Sequence, residues 1–243
     1  MSHLIKNVSM YSRKLPESAM IPVIEEYKED IFPSKNPEIA EEVNSGFGIA
    51  DVVFFNLDND TIRRRQRSRL PSIKSYEILE TFSVVNELNV PEINITHLYK
   101  ALPYSEKVFK DKILHFLTST GVADNIDNTS LRFNYKYESP LKEIVAIEAK
   151  VSNWKRGLYQ AYRYRQYADL SYLALHSQYI ERAKQNLSLF EDLNVGLIRV
   201  DDERDELELI YKPIRENVSI MNKVRFFACE EILEKRGIIQ ANL

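Results

Sequence analysis

The chain is poor in the residues that build disulfides and zinc sites. It has one cysteine, Cys229, in 243 residues, which excludes an internal disulfide and fits a reducing compartment. Its histidines, His3, His97, His115 and His176, have no zinc-site spacing with one another or with the cysteine. No apolar run approaches the roughly 20 residues that span a bilayer, and the N-terminus has no secretory apolar core. These absences predict a cytoplasmic protein without a membrane partner. A formal net charge of −3 argues against a protein that coats polyanions through bulk charge. No internal repeat or low-complexity tract is present.

What is there is unevenly distributed. At 44% apolar and 28% charged residues the composition is that of a globular chain with room for one large domain or two small ones. Arg63, Arg64, Arg65, Arg67 and Arg69 crowd one short stretch, whereas acid collects around Asp201, Asp202, Glu203, Asp205 and Glu206. Such a charge run is ordinarily a solvated loop.

The apolar periodicity divides the chain. From Leu15 to Ile31, apolar residues recur at three- and four-residue steps, predicting a first amphipathic helix that Pro22 kinks or delays. Glu17 shares the inward face with Ile21 and Ile24, and a carboxylate there needs a reason. Residues 37–43 and 48–57, around Asn44-Ser45-Gly46, predict a hairpin. Helices are expected over Ser75 to Leu88, Ile95 to Leu102 and Tyr104 to Thr118, then a second hairpin from Gly121 to Tyr137. Beyond Pro140 the order is strand (143–150), helix (154–168), strand (170–176), helix (179–193) and strands at 195–200 and 206–211, with a closing helix over 219–236. This alternation predicts an α/β class.

Two charged positions interrupt apolar strands. Asp51 lies within Gly48 to Phe55, and Glu148-Ala149-Lys150 closes the run Ile144 to Ile147. Alternate strand residues share a face, so Glu148 and Lys150 point together while Ala149 offers that edge only its carbonyl. Buried charges must pair or bind metal. The structural alternative is an Asp51–Lys150 ion pair at a sheet end. The chemical one is a pair of carboxylates holding Mg²⁺, a hard cation that takes oxygen ligands, beside an amine that orients an attacking water. That chemistry suits phosphodiester hydrolysis.

In this order the residues resemble the PD-(D/E)XK nucleases of restriction-endonuclease-like fold: Glu17 on a first helix, Asp51 after a hairpin turn, then Glu148-Ala149-Lys150. Gln160 to Tyr164 is similar to the QxxxY signature of RecB-like members. Ala50 replaces the usual proline before the aspartate, and the stretch from Asp51 to Glu148 is far longer than a hairpin demands. An inserted domain accounts for that length. Three helices followed by a two-stranded wing have the order of a winged helix-turn-helix, so a discontinuous core (1–69 and 139–243) is expected to enclose a winged-helix-like DNA-binding insert at 70–138.

The resemblance implies a core with a mixed central sheet flanked by helices, and a metal-dependent DNA nuclease. Asp51, Glu148, the Ala149 carbonyl and Glu17, directly or through water, would hold Mg²⁺, with Mn²⁺ as a substitute. Lys150 and Gln160 would orient the nucleophile or the phosphate. For nucleic-acid contact the sequence offers the five arginines at 63–69, Lys107 and Lys110 on the third helix of the insert, Arg132 and Lys136 in its wing, and Lys155 and Arg156 at the start of the helix after the Glu148 strand. Trp154 and the many tyrosines are read mainly as core, and Cys229 as a small hydrophobe. A non-catalytic winged-helix regulator and an RNA nuclease are the alternatives. A homodimer is a candidate assembly, since double-strand cutters often work in pairs.

Overall fold

In the computed structural model, which describes residues 16–216, 218 and 222–240, a six-stranded mixed sheet forms the centre of the molecule. The strands are β1 (Glu38–Asn44), β2 (Ile49–Leu57), β6 (Leu141–Lys150), β7 (Leu170–His176), β8 (Gly196–Asp201) and β9 (Glu206–Tyr211), ordered β1-β2-β6-β7-β8-β9. Pairing is antiparallel from β1 to β6, parallel from β6 to β8, and antiparallel again at β9. β6 and β7 are covered on both faces, which is why they read as nearly continuous apolar runs.

On one face, Val145, Ile147 and Ala149 pack with Met20, Val23 and Ile24. These come from a 3-10 turn (Glu17–Met20) and α1 (Ile21–Glu26), which α2 (Lys28–Ile31) follows. The single helix expected here is therefore three short pieces, with Pro22 in the first turn of α1. Leu15 and His3 lie outside the described residues, as does Ser219 at the start of the expected tail helix. The other face, carrying Val53, Phe55, Ile144 and Ala146, packs against Tyr164 of α8 (Trp154–Tyr164) and against Val224, Ala228 and Ile232 of α11 (Lys223–Lys235).

Between β7 and β8 the expected continuous helix is broken into a 3-10 turn, α9 (Ile180–Lys184) and α10 (Leu187–Asp192). The arginine-rich stretch is not a loop: Asp58 caps α3 (Asn59–Arg67) by accepting from the Asp60 and Thr61 amides, a strong helix start.

Residues 70–137 gather α4 (Tyr76–Leu88), α5 (Ile95–Ala101) and a third helical stretch of α6 (Glu106–Val108), π-helical Phe109–Leu114 and α7 (His115–Ser119). A small sheet joins them, with β5 (Ser130–Phe133) between β3 (Glu92–Asn94) and β4 (Ala123–Asn125). The periodicity missed β3, which is only three residues long. This segment shares its core with the rest of the chain, because Phe226 of α11 packs among Phe82, Leu98, Phe109 and Leu131.

Candidate active site

The register Val52↔Ile147 places Asp51, the next residue of β2, across from Glu148. Directly opposed strand residues share a face, so sheet pairing alone unites two carboxylates that the sequence holds far apart. Lys150 lies two positions on, at the end of β6.

The lysine ammonium is the hub. Its Nζ donates to Glu148 Oε1 at 2.7 Å, to the Ala149 carbonyl at 2.9 Å and to Glu17 Oε2 at 3.1 Å. Asp51 Oδ2 accepts from the Ala149 amide at 2.7 Å. The Asp51–Lys150 ion pair expected of a purely structural site is replaced by pairing with Glu148 and Glu17. Glu17 itself is not on an inward face. The 3-10 turn buries Met20 and leaves the Glu17 side chain 47% exposed, reaching round the strand end to the lysine.

Burial pushes the Asp51 carboxyl above its ordinary value, more than the Ala149 amide and Lys150 pull it down. Burial likewise raises Glu148, against hydrogen bonds from Lys150 and Tyr164 and with the Asp51 charge adding to the rise. For Lys150, burial acts downward, but the Glu148 and Glu17 contacts outweigh it and hold the amine above its ordinary range. The edge therefore gathers strained negative charge around one internal cation.

Two contributors were not read from the sequence as site residues. Tyr164 sends its hydroxyl to Glu148 Oε2 and lies 2.5 Å from the Ile49 carbonyl, tying α8 to both site strands. The clue was its four-residue spacing from Gln160. Glu42 stands opposite Asp51 between the pairs Glu41↔Val52 and Val43↔Ala50, at φ +51°, and its charge adds to the rise of Asp51. Gln160 sits on α8 with its amide oxygen buried and without a partner among the described residues.

The donor set suits a hard divalent ion. Three oxygens from Glu148, Ala149 and Glu17 already converge on a cationic nitrogen, and Asp51 keeps one oxygen outside its amide bond. All four donors are oxygen, the kind Mg²⁺ takes. Among the described residues no three His, Cys, Asp or Glu side chains form a ready metal cluster; Lys150 lies between the acids instead.

The remaining basic residues scatter. Arg65 is buried and paired with Glu230, so it has no access to nucleic acid. Asp58, at the head of α3, follows Asp51 by seven strand residues, about 23 Å at the usual rise, so the arginine helix starts at the far end of β2 from the acids rather than at the entrance to the site. Arg64, Arg67 and Lys136 line a common groove between α3 and the segments 120–122 and 134–138 that flank the small sheet, although Arg64 is paired with Glu138 at 2.5 Å. Arg63 faces Asp60, Lys110 faces Glu106, Arg132 faces Glu92, and Lys136 donates to Asn89. Lys107 and Arg69 are exposed. At the start of α8, Arg156 is exposed and Lys155 lies over the ring of Trp154, which is buried and stacked on Phe190, as expected of a core residue.

No helix among the described residues is long and apolar enough to cross a membrane. Comparison with family models, curated proteins and solved structures finds no match to this chain.

Proposed function

We propose that this chain is a divalent-metal-dependent nuclease that hydrolyses phosphodiester bonds in DNA, built on a restriction-endonuclease-like core with a winged-helix-like insert at 70–138. One observation carries the reading: Glu148, Ala149 and Glu17 direct their oxygens at a single cation beside Asp51, at the end of two paired strands. Burying acids in this way is unfavourable for stability and is typical of a working site.

Asp51, Glu148, the Ala149 carbonyl and Glu17 would hold Mg²⁺, with Mn²⁺ as a substitute. The bound ion would supply Lewis acidity toward the phosphate and a lowered pKa for bound water. Lys150, already charged, would turn its ammonium from the acids to the phosphate and stabilise the negative charge that grows as water attacks phosphorus. The bond to one sugar oxygen breaks, and that oxygen takes up a proton. Gln160, whose amide oxygen lacks a partner, would orient the water through a hydrogen bond. Tyr164 would hold Glu148 in place. The groove of Arg64, Arg67 and Lys136 would bind backbone phosphates away from the cut.

The test is incubation of the purified protein with plasmid and linear DNA in Mg²⁺ or Mn²⁺, beside an EDTA control. Cleavage is expected only with metal, and is expected to vanish in Asp51→Ala and Lys150→Ala proteins that keep the wild-type circular dichroism. Unchanged cleavage by Asp51→Ala would refute the assignment.

A further inference from the structure

The outer face of α8 is built differently from the other basic surfaces. Arg156, Tyr159, Gln160 and Arg163 follow three- and four-residue steps, so they share one stripe of the helix, and with Tyr162 they line a shallow depression that contains no acidic residue. Among the described residues neither guanidinium has a carboxylate partner, whereas Arg64, Lys110 and Arg132 are each matched by a glutamate. Uncompensated positive charge thus collects on this stripe.

Aromatic surface sits within it. Tyr159 is 64% exposed and Tyr162 is 42% exposed, whereas Tyr137, Tyr164, Tyr167 and Tyr172 are buried. The hairpin tip between β1 and β2 adjoins the stripe: a Cβ on Gly48 would lie 3.3 Å from the Arg163 guanidinium and 3.1 Å from the Tyr164 ring. Tyr164, one residue beyond Arg163, touches Glu148. The stripe therefore ends beside the hairpin tip that leads into β2, the strand of Asp51.

Guanidinium groups match backbone phosphates, while open aromatic rings match base faces. Base faces are accessible only where a strand is unpaired, since a duplex hides them in its stack and shows edges and phosphates outward. We infer that the Arg156–Tyr159–Arg163 stripe of α8 is a binding track for an unpaired DNA strand, with Tyr159 stacking on a base and the two arginines gripping the flanking phosphates, so that the strand is led to the acidic edge. The inference rests on the nuclease reading for the role of that edge, and it specifies the substrate as single-stranded at the point of entry.

Binding is measured in EDTA, so that cleavage plays no part, by fluorescence anisotropy of labelled oligothymidylate, the same length of oligouridylate, and a blunt duplex. Tyr159→Ala is expected to weaken oligothymidylate binding roughly tenfold, within the range found for base stacking on aromatic residues, while Tyr159→Phe retains it and duplex binding barely changes. Arg156→Ala combined with Arg163→Ala is expected to lower the log-affinity against log-salt slope on the single strand by about 1.4, at roughly 0.7 per phosphate lost. Wild-type affinity in Tyr159→Ala, an equal loss on the duplex, an equal loss in Tyr159→Phe, or tighter oligouridylate binding with the same dependence on Tyr159 would each overturn the assignment. The expected contrast in a protein that never cuts DNA would sink the nuclease reading and leave this track standing.

Discussion

Arg65 of α3 and Glu230 of α11 lie 165 positions apart and meet out of water, with N–O distances of 3.0 and 2.8 Å and side chains 1% and 0% exposed. Glu230 also accepts from the Ile73 amide at 2.7 Å and the Tyr137 hydroxyl at 2.8 Å, and Arg65 reaches the Leu70 and Pro71 carbonyls. One carboxylate thus joins α3, α11 and both ends of the 70–137 segment. Removing a single member of a buried pair strands the other charge, at a cost of about 3–5 kcal/mol. Glu230→Ala and Arg65→Ala should each lower stability by that order in denaturant melts. Arg67→Ala, on the exposed side of the same helix, should leave the midpoint unchanged. An Arg65→Ala protein that kept its midpoint but lost DNA affinity would restore Arg65 to the binding surface.

That pair also explains where the sequence was opaque. Five arginines close together look alike until a partner is placed, and the partner of Arg65 comes from the last helix. Glu17 misled differently: a spacing rule for 3.6 residues per turn put it inside, but the 3-10 turn closes at three residues and rotates it to the rim. The strands were legible because both faces of β6 and β7 are covered, which leaves little choice of residue. Asp51 and Glu148 stood out for the same reason, since each breaks a run that burial would keep apolar. β3 was too short to show any period, and its pairing with β5 is visible only in three dimensions.

Asp51 ties stability to pH. Burial raises its folded pKa above the ordinary 3.8, so the folded state favours the protonated acid. Its contribution is fully present below the unfolded value and is lost as pH rises through the folded one. Asparagine keeps an oxygen for the Ala149 amide and never ionises. Asp51→Asn should therefore match wild type in melting temperature near pH 3.5, exceed it increasingly as pH climbs out of the carboxylate range, and level off by neutrality. Thermal melts across that range in EDTA check it. A mutant less stable at pH 7 than at pH 4, relative to wild type, would contradict the sign.

Tyr164 is a positioning residue in the proposed reaction, acting through Glu148. Its hydroxyl favours the ionised carboxylate, so Tyr164→Phe should raise the Glu148 pKa further. If ionised Glu148 is required, the acid limb of the kcat/KM profile moves to higher pH, and activity recovers in alkaline buffer. A purely structural role would lower the whole profile without shifting its limb. The pH profile in Mg²⁺, read beside the melting temperature, separates the two outcomes.

Gly157 sets how closely α8 approaches the sheet. It occupies the second turn of a helix, where glycine costs about 1 kcal/mol relative to alanine, so its presence needs a local cause. A Cβ there would come within 2.6 Å of Leu173 Cδ1 and 2.9 Å of Lys150 Cγ. The leucine methyl ends a flexible side chain, but Leu173 is fully buried and must shift against its neighbours; Lys150 Cγ belongs to the stem that carries the ammonium to Glu148 and Glu17. In Gly157→Ala the crowding, typically about 1–3 kcal/mol for an overpacked core, is only partly offset by the gain in helix propensity, and net stability should fall by up to about 2 kcal/mol. The ammonium, however, is displaced from its three oxygens. Cleavage should fall at least tenfold in kcat, since misplacing a reacting group by an ångström has effects of that size or larger. Metal affinity measured by calorimetry should be retained or increased, because a displaced lysine competes less for the same donors. A Gly157→Ala protein with wild-type kcat would show that α8 does not position Lys150 for the reaction.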